Sequence, residues 1–285
     1  MLIKRNLLLF FRNKTAVFFS MLSSLIAVGL YVLFLGPLNN DALRDILGFE
    51  SYLISITIAS VMLSGIVALT SVTTCLSGLG RKIIDLENGN LKGFLTTPVS
   101  RNKINISYII SSVIISLMLS SITLIFILLY ILFLGGGFPN PSNTFKIIVT
   151  LILTSVSANA MMSFIMGFIK NLQAFSSFGN IFATLAGFLM GVYLPLGTMP
   201  EVMQWIMRIL PFSHAASMFR QTIADIHIKQ LFDTYYPDGA DFFRELYGVT
   251  LVFGSFEFNF WYNAAVLFIS SLFFYLASII LTSKK

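Results

Sequence analysis

Charge is scarce in this chain. Only 11% of its 285 residues are charged, against roughly 25% in a typical soluble domain, while 56% are hydrophobic. A water-soluble fold of this length has no means of hiding so much apolar surface, so a bilayer is the solvent the composition calls for. Cysteine is nearly absent as well. The single Cys75 excludes an intrachain disulfide and, lying inside an apolar run, reads as a small buried residue. No Gly is followed by Lys, so no phosphate loop of the form G-x-x-x-x-G-K-[ST] exists. His214 and His227 stand without cysteines or an acidic cluster at ligand spacing, so they read as ordinary polar contacts and no metal site is expected.

What the chain does have is six long apolar runs. A helix needs about 20 apolar residues to cross a hydrocarbon core of roughly 30 Å. Segments 16–35, 51–76, 104–134, 147–169, 175–194 and 258–281 qualify. The first is too long for the hydrophobic region of a signal peptide and lacks a small-residue cleavage site, so it reads as a retained span. The expected fold class is an all-α integral membrane protein, a single transmembrane domain over residues 1–285.

The basic residues orient this domain. With both termini in the cytoplasm, segments 1–15, 77–103, 170–174 and 282–285 lie inside and hold twelve of the 18 Lys and Arg residues, with Asp85 and Glu87 as their only acids. The other ten acids fall outside. The bias satisfies the positive-inside rule and places basic clusters against an anionic membrane face, not against nucleic acid. No ionisable residue lies in the middle of a span, which disfavours a proton-coupled carrier.

Three segments outside the spans carry information. In 2–11, Lys4, Arg5 and Arg12 gather on one helical face with Ile3, Leu7 and Phe10 opposite, while Leu8 interrupts the basic stripe. Two readings stand: an interfacial amphipathic helix, or a plain positive anchor for the first span. In 77–103, a helix over 81–87, a turn at Asn88-Gly89-Asn90 and a short helix ending before Pro98 are expected. This element is either a handle for a partner or an amphipathic loop lying on lipid. In 195–257, an apolar stretch flanked by Pro200 and Pro211 predicts a re-entrant helix, with Met203, Ile206, Met207 and Leu210 on one face. A polar external loop or short helix is expected to follow from Asp225.

Together these features resemble the ABC-2 type permease family, the membrane subunits of many bacterial exporters. The loop after the second span carries Glu87, Asn88, Gly89, Leu91, Leu95 and the run Thr96-Thr97-Pro98-Val99-Ser100-Arg101, similar to the family's pattern. After the fifth span, Gly191, Pro195, Met199, Pro200, Pro211, Phe212 and Ser213 are similar to a second family pattern. The acidic pair Asp85 and Glu87 departs from it in having no basic residue between.

The resemblance implies two permease copies, as a homodimer, with two nucleotide-binding ATPase subunits in a bacterial plasma membrane. It implies no cofactor on this chain, since ATP and Mg would belong to the ATPase, and no catalytic residue. The contact to the ATPase would fall on Asp85, Glu87, Asn88, Gly89, Leu91, Thr97, Pro98 and Arg101, with Lys4, Arg5 and Arg12 adding to it. Spans one, two and five would surround the pathway, for which Phe175, Phe178, Asn180, Phe182, Thr184, Thr70 and Thr73 are the candidates. Pro195, Met199, Pro200, Pro211 and Phe212 would form an external gate. Two readings stand for the Phe row, the commoner one of packing or lipid contact and that of a pathway lining; on the second, the Phe and hydroxyl lining suits an amphiphilic cargo such as a drug, antibiotic, peptide or lipid-like molecule. A second reading, from another class, is a non-pumping immunity or sensor component that binds a toxic peptide or lipid externally.

Overall fold

The computed structural model describes residues 2–95 and 100–283. Among the described residues, six helices are long and apolar enough to cross a membrane: Lys14–Leu47, Tyr52–Glu87, Asn102–Phe133, Pro141–Met166, Leu172–Leu189 and Phe260–Leu281. The all-α membrane architecture expected from the sequence is the one observed, with a short antiparallel hairpin as its only sheet among the described residues.

The chain opens with α1 (Leu2–Arg12), then α2 (Lys14–Leu30), whose first turn is capped by the Asn13 side chain. Span one does not stop at Leu35, where the sequence placed its end. A π-helical turn over Tyr31–Leu35 leads directly into α3 (Gly36–Leu47), and Gly36 N–H donates to the Tyr31 carbonyl five residues back. Pro37 has no N–H to give and its ring crowds the preceding turn, and the widened π turn relieves both. The Asn39 amide then satisfies the carbonyl of Leu35 at 2.7 Å.

The centre of the bundle is α4 (Tyr52–Glu87). Its apolar window is 89% buried, and its sequence is accordingly hydrophobic on every side. Small and hydroxylated residues let neighbours approach it closely. Ser116 of α6 (Arg101–Phe133) donates to the Ser71 carbonyl at 2.7 Å, and Ser112 donates to the Cys75 carbonyl at 2.7 Å. At 36 residues α4 is about 54 Å long, well beyond the hydrocarbon thickness. Its last turns therefore project from one end of the bundle, where the expected 81–87 helix is simply the end of α4. Gly89, at φ +74°, makes the sharp turn into α5 (Asn90–Leu95).

Beyond α7 (Pro141–Met166) and α8 (Leu172–Leu189) the chain forms a cap at the opposite end. Helix α9 (Glu201–Ile209) and helix α10 (Pro211–Ile223) are separated by a break at the extended residue Leu210. Phe212 at the start of α10 meets Phe182 in the middle of α8, whereas just past its end the His227 carbonyl accepts from Thr57 near the start of α4. The pair thus dips into the bundle and returns, as expected for a re-entrant element, and α10 packs against α4, α7 and α13. Helices α11 (Asp225–Tyr235) and α12 (Ala240–Leu246) follow, then strands β1 (Leu251–Phe253) and β2 (Phe256–Phe258), paired antiparallel. The chain returns through α13 (Phe260–Ser283).

Candidate functional site: a carboxylate hub and a polar face

Asp85 lies in the projecting end of α4 and is fully buried. Its carboxylate accepts from Arg5 Nη1 at 2.8 Å and Nη2 at 3.1 Å, from Arg81 Nη2 at 2.8 Å, from Asn90 Nδ2 at 3.2 Å and from the Tyr108 hydroxyl at 2.7 Å. Four donors from four elements thus converge on one side chain: α1, α4, α5 and α6. The hydrogen bond to Asp85 holds the Arg5 guanidinium above its ordinary pKa. Bidentate, charge-assisted bonds of this kind fix geometry as well as adding energy.

The amphipathic α1 is docked by this bond and by an apolar contact. Phe10 is buried against Ile115 and Leu119 of α6, so part of the face expected to meet lipid meets protein instead. Lys4 and Arg12 remain exposed, as does Leu8, whereas Arg5 is turned inward. Glu87 is exposed and accepts from the Leu172 backbone N–H at 3.1 Å, linking the loop to the start of α8. Asn88 and Gly89 form the turn, Leu91 sits half-buried in α5, and Arg101 opens α6. Thr97 and Pro98 lie outside the described residues.

The pathway candidates divide sharply. Thr70 and Thr73 are buried inside the bundle. Thr70 donates to Ser24 of α2 at 2.7 Å and Thr73 to the Leu69 carbonyl at 3.0 Å. Phe175, Phe178 and Phe182 pack inward against α4 and the cap: Phe178 stacks on Phe182, and Phe175 presses on the space where Gly80 lacks a Cβ. Asn180 and Thr184 are exposed, and with Gln173 and Ser177 they form a polar stripe along one face of α8. Beside it, a groove of about 490 Å³ runs between α2 and α8, lined by Ser23, Ile26, Leu30, Thr184, Phe188 and Tyr193.

Of the gate candidates, Pro195, Met199, Pro211 and Phe212 are buried in the cap and Pro200 is exposed. His214 of α10 contacts the Asn263 side chain at 2.6 Å and the Arg208 carbonyl at 2.9 Å. One residue of the cap was not singled out by sequence reasoning. Arg220, 2% exposed, donates to the carbonyls of Met190 at 2.8 Å, Gly191 at 2.7 Å, Val61 at 3.3 Å and Gly248 at 3.4 Å. No carboxylate pairs with it among the described residues. Gly65 makes room for it, since a Cβ there would stand 2.9 Å from Nη2.

The fold defines a polytopic helical membrane protein whose amino-terminal helix is bolted to a loop projecting from its central span. The chain belongs to the ABC-2 type transporter family, whose model matches residues 1–224. It is therefore a membrane transport subunit and not itself an enzyme, of a kind that normally works with an ATPase subunit. A comparison with curated proteins returned no match.

Proposed function

We propose that this chain is the permease of a bacterial ATP-driven exporter, working as a homodimer with two ATPase subunits in the plasma membrane, both termini cytoplasmic. The observation that carries the reading is the carboxylate hub. A force applied to the Asn88–Gly89 turn is transmitted at once to α1, α4 and α6, because Asp85 ties all three to α5. Glu87, Asn88, Gly89 and Leu91 present the surface that meets the ATPase, and Lys4 and Arg12 extend it. Asp85 and Arg5 act from within as positioning residues. ATP and Mg are held by the partner.

The cargo path runs along the exposed face of α8. A polar stripe of Gln173, Ser177, Asn180 and Thr184 is costly against lipid tails and suits a cavity shared by two copies. The α2–α8 groove beside it is mainly apolar with a few hydroxyls, which fits an amphiphilic cargo leaving the cell. The cap of Met199, Pro211 and Phe212 closes the far end.

Co-purification tests the attachment. When the permease is co-expressed with its ATPase, Glu87→Ala is expected to cut the ATPase recovered with it by about tenfold, on the order of 1.4 kcal/mol. The thermal midpoint of the isolated permease should hardly move, because Glu87 is exposed and, among the described residues, bonds only to the Leu172 N–H. Undiminished recovery would remove Glu87 from the interface.

A further inference from the structure

At the end of the bundle away from Asp85, a cleft of about 400 Å³ lies between the first turns of α7 and α13, the hairpin and the α10–α12 region. Most polar groups in its wall are already engaged. Arg244 pairs with Asp225 at 3.1 Å and with Asp241 at 2.9 Å, and Asp225 also holds Lys229 at 2.9 Å. Gln221 Nε2 donates to the carbonyls of Val249 and Phe258, both at 2.9 Å, and so fixes the hairpin to α10.

Two charges in the same cleft are left over. Lys146 has the Phe260 ring 5.5 Å from its Nζ, and its ammonium makes no ion pair or hydrogen bond among the described residues. The carboxylate of Glu257, exposed on β2, makes none among them either. They line one cavity without forming an ion pair with each other, so the cavity offers both charges to a group that carries one of each sign.

Their places relative to the spans differ. Lys146 lies within the spanning helix α7, while Glu257 lies on the hairpin before span six begins at Phe260. Trp261 and Tyr262, which follow Phe260 in the chain, are exposed, the residue types that settle at the level of lipid headgroups. A zwitterionic phospholipid presents its charges in the same order, with phosphate nearer the glycerol and ammonium outermost.

We propose that this cleft binds the headgroup of a zwitterionic phospholipid, with its phosphate on Lys146 and its ammonium on Glu257. The lipid would lodge between spans four and six, away from the α2–α8 groove, and hold the hairpin against α10. Its binding requires the membrane fold but not the exporter reading.

Native mass spectrometry of the detergent-purified full chain, titrated with short-chain phosphatidylethanolamine, reads the bound lipid directly. Phosphatidylethanolamine should bind at least three times better than phosphatidylglycerol of the same chain length. Lys146→Gln and Glu257→Gln should each lower its affinity by about two- to fivefold, the range for partly exposed charge pairs. Both positions are accessible to solvent, and an unchanged melting curve for each lipid-free variant would show that it is folded. The exchange Lys146→Glu with Glu257→Lys should not restore binding, because it inverts the charge order against depth. Equal binding of the two lipids, indifference to Glu257→Gln, or recovery in the exchanged variant would each overturn the proposal. Equal binding of free phosphoethanolamine would overturn the lipid assignment in favour of a soluble zwitterion.

Discussion

Replacing Asp85 with alanine should release the amino-terminal helix from the bundle and lower the stability of the permease by about 2–3 kcal/mol. Removing one partner from a buried ion pair generally costs about 3–5 kcal/mol, because the other charge is stranded. Arg5 and Arg81 retain 28% and 25% exposure and can recover some hydration, which moves the estimate to the low end. Asparagine should rescue little, since its amide turns an N–H toward guanidinium groups that offer only donors. Arg5→Ala should be milder, because Asp85 would keep Arg81, Asn90 and the Tyr108 hydroxyl. Thermal melts establish the order, and protease cleavage between α1 and α2 reports release of the helix. If Asp85→Ala melts like the parent and stays resistant to cleavage, the hub does not hold α1. In a coupled assay with the ATPase, the same variant should hydrolyse ATP while transporting poorly.

Arg220→Met should be the most damaging single change in the cap, at about 2–4 kcal/mol. Methionine has similar reach but no donors. The buried carbonyls of Met190 and Gly191 at the end of α8, with that of Gly248, would then lose the Arg220 donor, while the Val61 carbonyl keeps the Ser64 hydroxyl. A buried polar group left unsatisfied costs about 1–3 kcal/mol. Methionine also removes the expense of desolvating a cation, so the loss is smaller than three such terms. Lysine should recover only part, as a point charge cannot span four acceptors. The check is a thermal melt combined with the yield of monodisperse protein. A methionine variant as stable as the parent would mean that water or rearranged backbone serves those carbonyls equally well.

Much of this molecule was legible in its residues, and the parts that were not share a cause. Spans follow from hydropathy because lipid imposes one rule on every segment that crosses it. The turn at Gly89 and the helix break before Pro211 were visible because Gly and Pro act locally. Arg220 was invisible: by sequence it is one more basic residue in a loop, and only the return of α10 to the bundle puts it beside the end of α8. Asp85 looked like a surface acid for the same reason, since Arg5 and Tyr108 reach it from 80 and 23 positions away. Thr70 and Thr73 were equally ambiguous. A hydroxyl inside a span can face a pathway or donate to its own helix, and composition does not distinguish the two.

The π turn in span one also changes which residues face the protein. Through α2 the buried positions are Ser20, Ser24, Ala27 and Tyr31, and a regular helix would continue them near 38 and 42. Leu38 and Ala42 are instead exposed, while Asn39 and Leu43 are buried, with the Tyr247 hydroxyl donating to Asn39 at 2.8 Å. The turn works as a one-residue insertion that shifts the phase of everything after it. Deleting Leu33 should remove the extra residue and restore an unbroken helical register with Asn39 and Leu43 still facing the protein. Inserting one residue after Leu33 should instead rotate α3 by about 100° and bring Leu38 to the place of Asn39, leaving Tyr247 without its acceptor. The first span thus consists of two helices set in different phases, and its length of chain, more than its composition, decides which side of α3 meets the cap.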